Sequence, residues 1–169
     1  DHGEMLGEHG LWWKSTFYDG AARVPLLVAA PGRIAPGRRI AQPVSLIDVG
    51  PTLLDLAAAG PLPGASGRSL RGLLEGSDAA GEQPVFAENI ARAAGGEIVP
   101  ERMVRLGRWK YNHADGYPPE LFDLADDPGE RRSRAADPAC AEVLERLRAE
   151  ALRDWDPAFV RRRLDAHLR

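Results

Sequence analysis

The chain opens "DHGEMLGEHGLWWK", a stretch in which four residues carry groups able to do site chemistry. Asp1 offers a carboxylate, His2 and His9 offer imidazoles, and Lys14 offers an ammonium. A carboxylate oxygen suits a hard divalent ion, and imidazole accepts a wider range of metals. Gly3 would permit the sharp turn that lets Asp1 and His2 face one ion. Lys14 is close enough along the chain to fold back over the same place. A fixed cation facing a metal-bound anion is what sulfate or phosphate ester chemistry needs, because the transition state spreads negative charge over the nonbridging oxygens. On spacing alone a second reading stands beside this one: a solvated acidic loop with a surface lysine. His9, alone in a Gly-rich loop, reads more simply as a loop residue than as a ligand.

Bulk properties limit what such a site can belong to. The 169 residues suffice for one compact domain or for parts of two. A net charge of -3 gives no reason to expect a nucleic-acid partner. No apolar run is long enough to suggest a membrane span. The single cysteine, Cys140, excludes an internal disulfide and argues against a cysteine-based zinc site. Low cysteine use leans toward the cytoplasm without fixing the compartment.

The elements that would position these groups follow from pattern. Residues 1–10 read as a loop, and "LWWKSTFYDG" as a short helix ended by Gly20. Val24, Leu26, Leu27 and Val28 form a continuous apolar run, the pattern of a strand buried on both faces, with Pro25 at its start or at an edge. In "SLIDVGPTLLDLAAAG" we expect a helix capped by Asp48, with Pro51 in its first turn, a buried stripe of Leu53, Leu54, Ala57 and Ala58, and a stop at Gly60. Residues 60–84 are rich in Gly, Pro and Ser and mark a boundary, with "SLRGLLEG" as a helical turn. Beyond it, "PVFAEN", "RMVRLGRWKYN" and "PELFDL" read as strands of a small antiparallel sheet. Asp137-Pro138 and Asp156-Pro157 each begin a helix. Cys140, Val143, Leu144, Leu147 and Ala151 form one apolar face, and Phe159, Val160, Leu164 and Leu168 the other.

Three blocks carry a resemblance. "DHGEMLGEHGLWWKSTFYDGAARVPLLVAAPGR" resembles the second metal-binding segment of the sulfatases, in the alkaline phosphatase superfamily. "VSLIDVGPTLLDLAAAG" resembles the helix that follows it there, and "MVRLGRWKYN" with "ELFDLADDPGE" resembles the C-terminal hairpin. The wording "GLWWKSTFYDGAARVPL" and the tail "RDWDP" are most similar to the choline-sulfatase branch. The resemblance implies an α/β fold. Residues 1–80 would be the C-terminal part of an alkaline-phosphatase-like sheet domain, and residues 81–169 a small antiparallel α+β subdomain with terminal helices.

It also implies a chemistry: hydrolysis of a small organic sulfate, with choline sulfate as a candidate. A divalent metal, calcium ahead of magnesium, would assist a formylglycine made from Cys or Ser in a Cys/Ser-X-Pro-Ser-Arg motif. By position Asp1 and His2 match the metal pair, and Lys14 matches the lysine that holds the sulfate and stabilises the leaving oxygen. His9 would support substrate binding at most. Glu88 falls where choline-sulfatase-like enzymes place a carboxylate near a quaternary ammonium, and an exposed strand-end carboxylate is the simpler alternative. The nucleophile motif is absent from the sequence, and Cys140 in "DPACAEV" lacks the required Pro and Arg. We therefore expect the C-terminal part of a longer enzyme, inactive alone. A phosphonate or phosphodiester hydrolase of the same superfamily, and a non-catalytic fragment acting in folding or subunit association, are the alternatives.

Three further expectations can be checked against structure. One of Trp12 and Trp13 should be core and the other partly exposed. Arg102, Arg105, Arg108 and Lys110 should form a solvated basic face that pairs with acids such as Asp123 and Asp126. The basic end "VRRRLDAHLR" should complement its helix dipole, and the C-terminal segment is where a homo-oligomer contact would lie.

Overall fold

The computed structural model describes residues 1–77 and 81–167. Its regular elements are helices α1 (Asp19–Ala22), α2 (Val49–Leu56), α3 (Arg71–Glu75), α4 (Ala141–Leu152) and α5 (Pro157–His167), and strands β1 (Val85–Arg92), β2 (Ile98–Leu106), β3 (Trp109–Ala114) and β4 (Glu120–Asp123). The chain divides into two compact units, one of Asp1 with Pro25–Val85 and one of His2–Val24 with Phe86–Arg169. The boundary expected after residue 80 falls on residues 78–80, which lie outside the described residues, as does Leu168.

The first unit is organised by a buried polar pair. The Asp48 carboxylate accepts the Ser45 N–H at 3.0 Å and the Arg68 N–H at 2.9 Å. Thr52 donates to the Asp48 carbonyl at 2.6 Å and accepts the Leu70 N–H at 2.8 Å. Segment 67–70 is thereby stitched to the start of α2, with Leu70 buried. Asp48 therefore does not cap α2 as expected. A 3₁₀ turn, Leu46–Asp48, precedes the helix, and the carboxylate serves that turn and the crossing strand of chain. The expected buried stripe is also corrected. Thr52 is the buried residue of α2, while Leu53 is 59% exposed and Ala57 and Ala58 face solvent. A helix face is buried only where another element lies on it, and segment 67–70 lies on the Thr52 face. The stop comes before Gly60. Ala58 takes φ 52, and the amides of Ala58 and Ala59 return to the carbonyls of Asp55 and Leu54. This is a Schellman closure with Ala where Gly is the usual choice. The run Val24–Val28 is not a strand, and Leu27 is 88% exposed. Among the described residues no strand pairs with it, and an apolar run without a ladder partner has nothing to hold it in a sheet.

The second unit is built on one sheet of order β1-β2-β3-β4, with β2–β3 and β3–β4 antiparallel. Every strand expected from the sequence is present. The register sorts the two faces. Val104, Tyr111 and Leu121 lie across from one another and pack with Cys140, Leu147 and Ala151 of the 3₁₀ turn Pro138–Cys140 and α4. Cys140 is a core residue, as its helical spacing implied. The Asp137 side chain accepts the Ala139 N–H at 2.9 Å, and Asp156 accepts the Ala158 N–H at 2.9 Å, so both Asp-Pro starts are capped. On α5, Val160 and Leu164 are half-buried, whereas Phe159 is 54% exposed and lies off the packed face. The opposite face of the sheet carries Arg105, Lys110, Asn112, Glu120 and Phe122, and the loop His2–Val24 packs there.

Candidate active-site loop

Loop 2–24 carries His2, His9 and Lys14, and its path is set by a few anchors. Met5 is fully buried, and its N–H donates to the Trp13 carbonyl at 2.8 Å. Gly7 N–H donates to Leu11 at 2.9 Å, so residues 5–13 close on themselves around a 3₁₀ turn, Glu8–Gly10. Trp13 and Ser15 both take positive φ, at 75° and 71°. Two left-handed residues cannot continue a helix. The helix expected over residues 11–20 is therefore absent, and the short α1 has Gly20 inside it rather than at its end. Lys14 sits exposed between the two left-handed residues. Both tryptophans are exposed, Trp12 by 68% and Trp13 by 76%, so neither is core. Burial of Met5 and Phe17 turns the intervening indoles outward.

Asp1 and His2 are both exposed. His2 Nδ1 lies 2.9 Å from the Gly3 carbonyl. A carbonyl can only accept, so Nδ1 is the donor in this contact. Gly3 donates to the Ala21 carbonyl at 2.8 Å. A Cβ on Gly3 would stand 2.2 Å from the Gly20 carbonyl oxygen. Gly3 is thus required for close approach to α1, not for the sharp turn anticipated from the sequence.

α1 is in turn held by the sheet. Lys110, 1% exposed, donates to Asp19 Oδ1 at 2.5 Å, Glu130 Oε1 at 2.6 Å and the Phe17 carbonyl at 2.8 Å. Glu130, also buried, accepts the Asp19 N–H at 2.5 Å on its other oxygen. Burial pushes the Glu130 carboxyl upward, against the opposing pull of Lys110. Next to this triad, Tyr18 donates to Glu120 at 3.1 Å, and Asn112 donates to the other Glu120 oxygen at 3.0 Å. Burial and the Glu120 charge raise the Tyr18 hydroxyl to about 12. His9 stacks on the Tyr18 ring, with centroids 4.0 Å apart and planes 5° from parallel. That stack gives His9 a packing role in the loop.

The basic residues of the hairpin are only partly as expected. Arg108 does pair with Asp123 and Asp126. Lys110 is not solvated at all. Burial lowers the Arg105 pKa. Arg102 stacks over Phe86 at 4.4 Å and donates to the Ala151 carbonyl at 3.1 Å. The sequence does not bring Asp19, Lys110 and Glu130 together, although the structure bonds them to one another. The available signal was a lysine between Trp109 and Tyr111 in a strand with neighbours on both sides, where an unpaired charge is too costly to keep.

Glu88 lies elsewhere in the second unit. It is exposed and 3.5 Å from Arg102, as the simpler strand-end alternative has it. With Asn89, Ile90, Glu101, Trp155 and Val160 it lines a cleft of about 310 Å³. Asn89 donates to Glu101 at 2.7 Å, and burial raises the Glu101 carboxyl. None of His2, His9 or Lys14 lines this cleft.

Comparison with known proteins supplies the family. The family described as "N-sulphoglucosamine sulphohydrolase, C-terminal" matches residues 7–155. A choline-sulfatase of Rhizobium meliloti (strain 1021) is 43% identical over 141 residues, covering 82% of this chain and 26% of the relative. The structure of a 2-O GAG sulfatase superposes with a TM-score of 0.71 at 33% identity, covering 88% of this chain and 33% of that one. A phosphonate monoester hydrolase of Silicibacter pomeroyi gives a TM-score of 0.74 at 36% identity, covering 90% of this chain and 32% of that one. The chain thus spans about a quarter of the length of the curated relative it matches.

Proposed function

Because the chain belongs to the N-sulphoglucosamine sulphohydrolase C-terminal family, we propose that it is part of a sulfuric ester hydrolase and contributes Lys14, Asp1 and His2 to that enzyme's site. The observations that carry this reading are the family match over residues 7–155, which includes Lys14, and the similarity to choline-sulfatase. Lys14 is the charge-stabilising residue. Its exposed ammonium would bind a nonbridging oxygen of the sulfate and offset charge on the departing alkoxide oxygen. Water adds to sulfur overall, the ester C–O–S link breaks at the S–O bond, and the alcohol and hydrogen sulfate leave.

The family implies a divalent metal, and the donors in this chain fit as a contribution to its site. Asp1 supplies a hard oxygen and His2 an imidazole nitrogen. Two donors do not complete a site, since calcium takes about six to eight ligands. Among the described residues no cluster of three or more His, Cys, Asp or Glu side chains could hold an ion. When bound, the metal would act as a Lewis acid on the sulfate. Formylglycine is different. No Cys/Ser-X-Pro-Ser-Arg run occurs in the sequence, and Cys140 is buried in the core, so no residue of this chain fits that group.

The proposed substrate is a small organic sulfate. Choline sulfate is the candidate that the similarity to choline-sulfatase supports. Glu88 adds nothing to that reading, because it is paired with Arg102, which also lies over the Trp155 ring, in a cleft that none of His2, His9 or Lys14 lines. His9 acts through its stack on Tyr18, steadying the loop. A subunit contact through the C-terminal segment belongs to the same reading. The similarity to phosphonate monoester hydrolase favours one second reading, a phosphonate ester as substrate. Turnover of an aryl sulfate, choline sulfate and an aryl phosphonate monoester by the full-length protein separates the two. Preference for the phosphonate would replace the first reading with the second. In the same protein Asp1→Ala should lower bound metal by elemental analysis, and an unchanged metal content would remove Asp1 from the site.

A further inference from the structure

We propose that Lys110, Asp19 and Glu130 form a clamp that positions the loop carrying His2 and Lys14, making Lys110 and Glu130 positioning residues. The catalytic consequence rests on the sulfatase reading above. Lys110 sits on a strand paired on both sides, and each of its donated bonds ends on loop 2–24 or on Glu130. Glu130 closes the figure by accepting the Asp19 N–H, and it does so from a left-handed backbone at φ 53. A buried residue held in that region persists only where its surroundings over-determine it.

Such a triad is a poor way to gain stability, because apolar side chains of similar volume often hold a fold as well or better. What it supplies is direction. Asp19 heads α1, the Ala21 carbonyl of α1 accepts the Gly3 N–H, and the Gly3 carbonyl accepts from His2 Nδ1. An unbroken line of bonds therefore runs from the sheet to the imidazole. Met5 lies against the same helix, where a Cβ on Gly20 would stand 3.1 Å from its sulfur, and its N–H bond to Trp13 fixes the residue before Lys14. The clamp thus bears on both His2 and Lys14 from one point on β3.

The test uses the full-length protein with two variants. Lys110→Met/Glu130→Gln removes the two buried charges together and leaves Asp19, which is 28% exposed and 3.8 Å from Arg23, and Asp19→Asn is the milder change. Hydrogen exchange is read at the Gly3 and Met5 amides, with Val104 and Tyr111 as core references, and kcat and KM are measured on an aryl sulfate well below the melting temperature. Exchange at Gly3 should rise by roughly tenfold or more while the core amides are unchanged. The rate constant kcat should fall by about tenfold or more with KM little altered, as expected when reacting groups lose alignment. Unchanged exchange at Gly3 and Met5 overturns the clamp. Faster exchange with unaltered kcat overturns it as a positioning device. If the unaltered protein hydrolyses no ester, the sulfatase reading falls, and the exchange result alone still decides whether the clamp holds the loop.

Discussion

Gly3→Ala probes the narrowest point of the loop. The added Cβ would lie 2.2 Å from the Gly20 carbonyl oxygen and 3.3 Å from its carbonyl carbon. Ordinary contact begins near 3.4 Å, so relief requires a movement of about 1 Å. The obstacle is backbone, not a side chain that can rotate away. The 2.8 Å bond from Gly3 to Ala21 would stretch beyond hydrogen-bond range. If the loop stays in place, overpacking costs about 1–3 kcal/mol, and losing the bond adds about 1 kcal/mol. If the loop yields instead, His2 moves by a similar distance, and a 1 Å misplacement can cost about a hundredfold in rate. Urea unfolding and kcat/KM on an aryl sulfate, measured on the same full-length sample, capture both routes. We expect a stability loss of about 2–4 kcal/mol, or a rate loss approaching the hundredfold figure with less destabilisation. Stability within about 0.5 kcal/mol of the parent, together with turnover within threefold, would refute the close-approach role of Gly3.

Two further outcomes test the packing of each unit. Ala58→Gly relieves a left-handed backbone at the end of α2 and should raise the urea midpoint by an amount equivalent to about 0.5–1 kcal/mol; a lowered midpoint would contradict the Schellman assignment. Asp123 gives a pH signature. Burial alone would raise its carboxyl, but two bonds from Arg108 at 2.5 and 2.6 Å and the Ala125 N–H hold it below the usual carboxylate range. Its folded pKa is depressed, so its stabilising contribution is present above the unfolded value of about 4 and is lost as pH falls through the lower folded value. Asp123→Asn should therefore flatten the pH dependence of the urea midpoint below about pH 4, and an unchanged slope would count against the Arg108 pairing.

Local chemistry was legible in the sequence wherever the decisive partner was close in the chain. The strands β1 to β4, the Asp-Pro starts at Asp137 and Asp156, and the core position of Cys140 all follow from alternation, capping and helical spacing. Legibility failed where the partner is distant. The stretch 11–20 has helical composition, but Met5 and the buried Phe17 impose left-handed turns at Trp13 and Ser15. Val24–Val28 and the Leu53 face of α2 are apolar without being covered by the described residues, so their patterns predicted a burial that pattern alone cannot supply. Lys110 looked like one charge among several on a hairpin. Only the register, which puts it opposite Arg105 and Phe122 on the loop-bearing face, shows why it is buried while Arg108 is not. For the candidate site, residue type and resemblance named Asp1, His2 and Lys14, whereas the triad behind them needed contacts made across residues 19, 110 and 130.

The central claim is that this loop brings a sulfate-binding cation to an ester hydrolase, and Lys14→Ala in the full-length protein tests it most directly. Lys14 is exposed, so its removal should leave the melting temperature close to that of the parent. We predict that kcat on an aryl sulfate falls by at least about tenfold, as losses of charge-stabilising groups do. Turnover equal to that of the parent, in a variant with the parent's stability, would contradict the account.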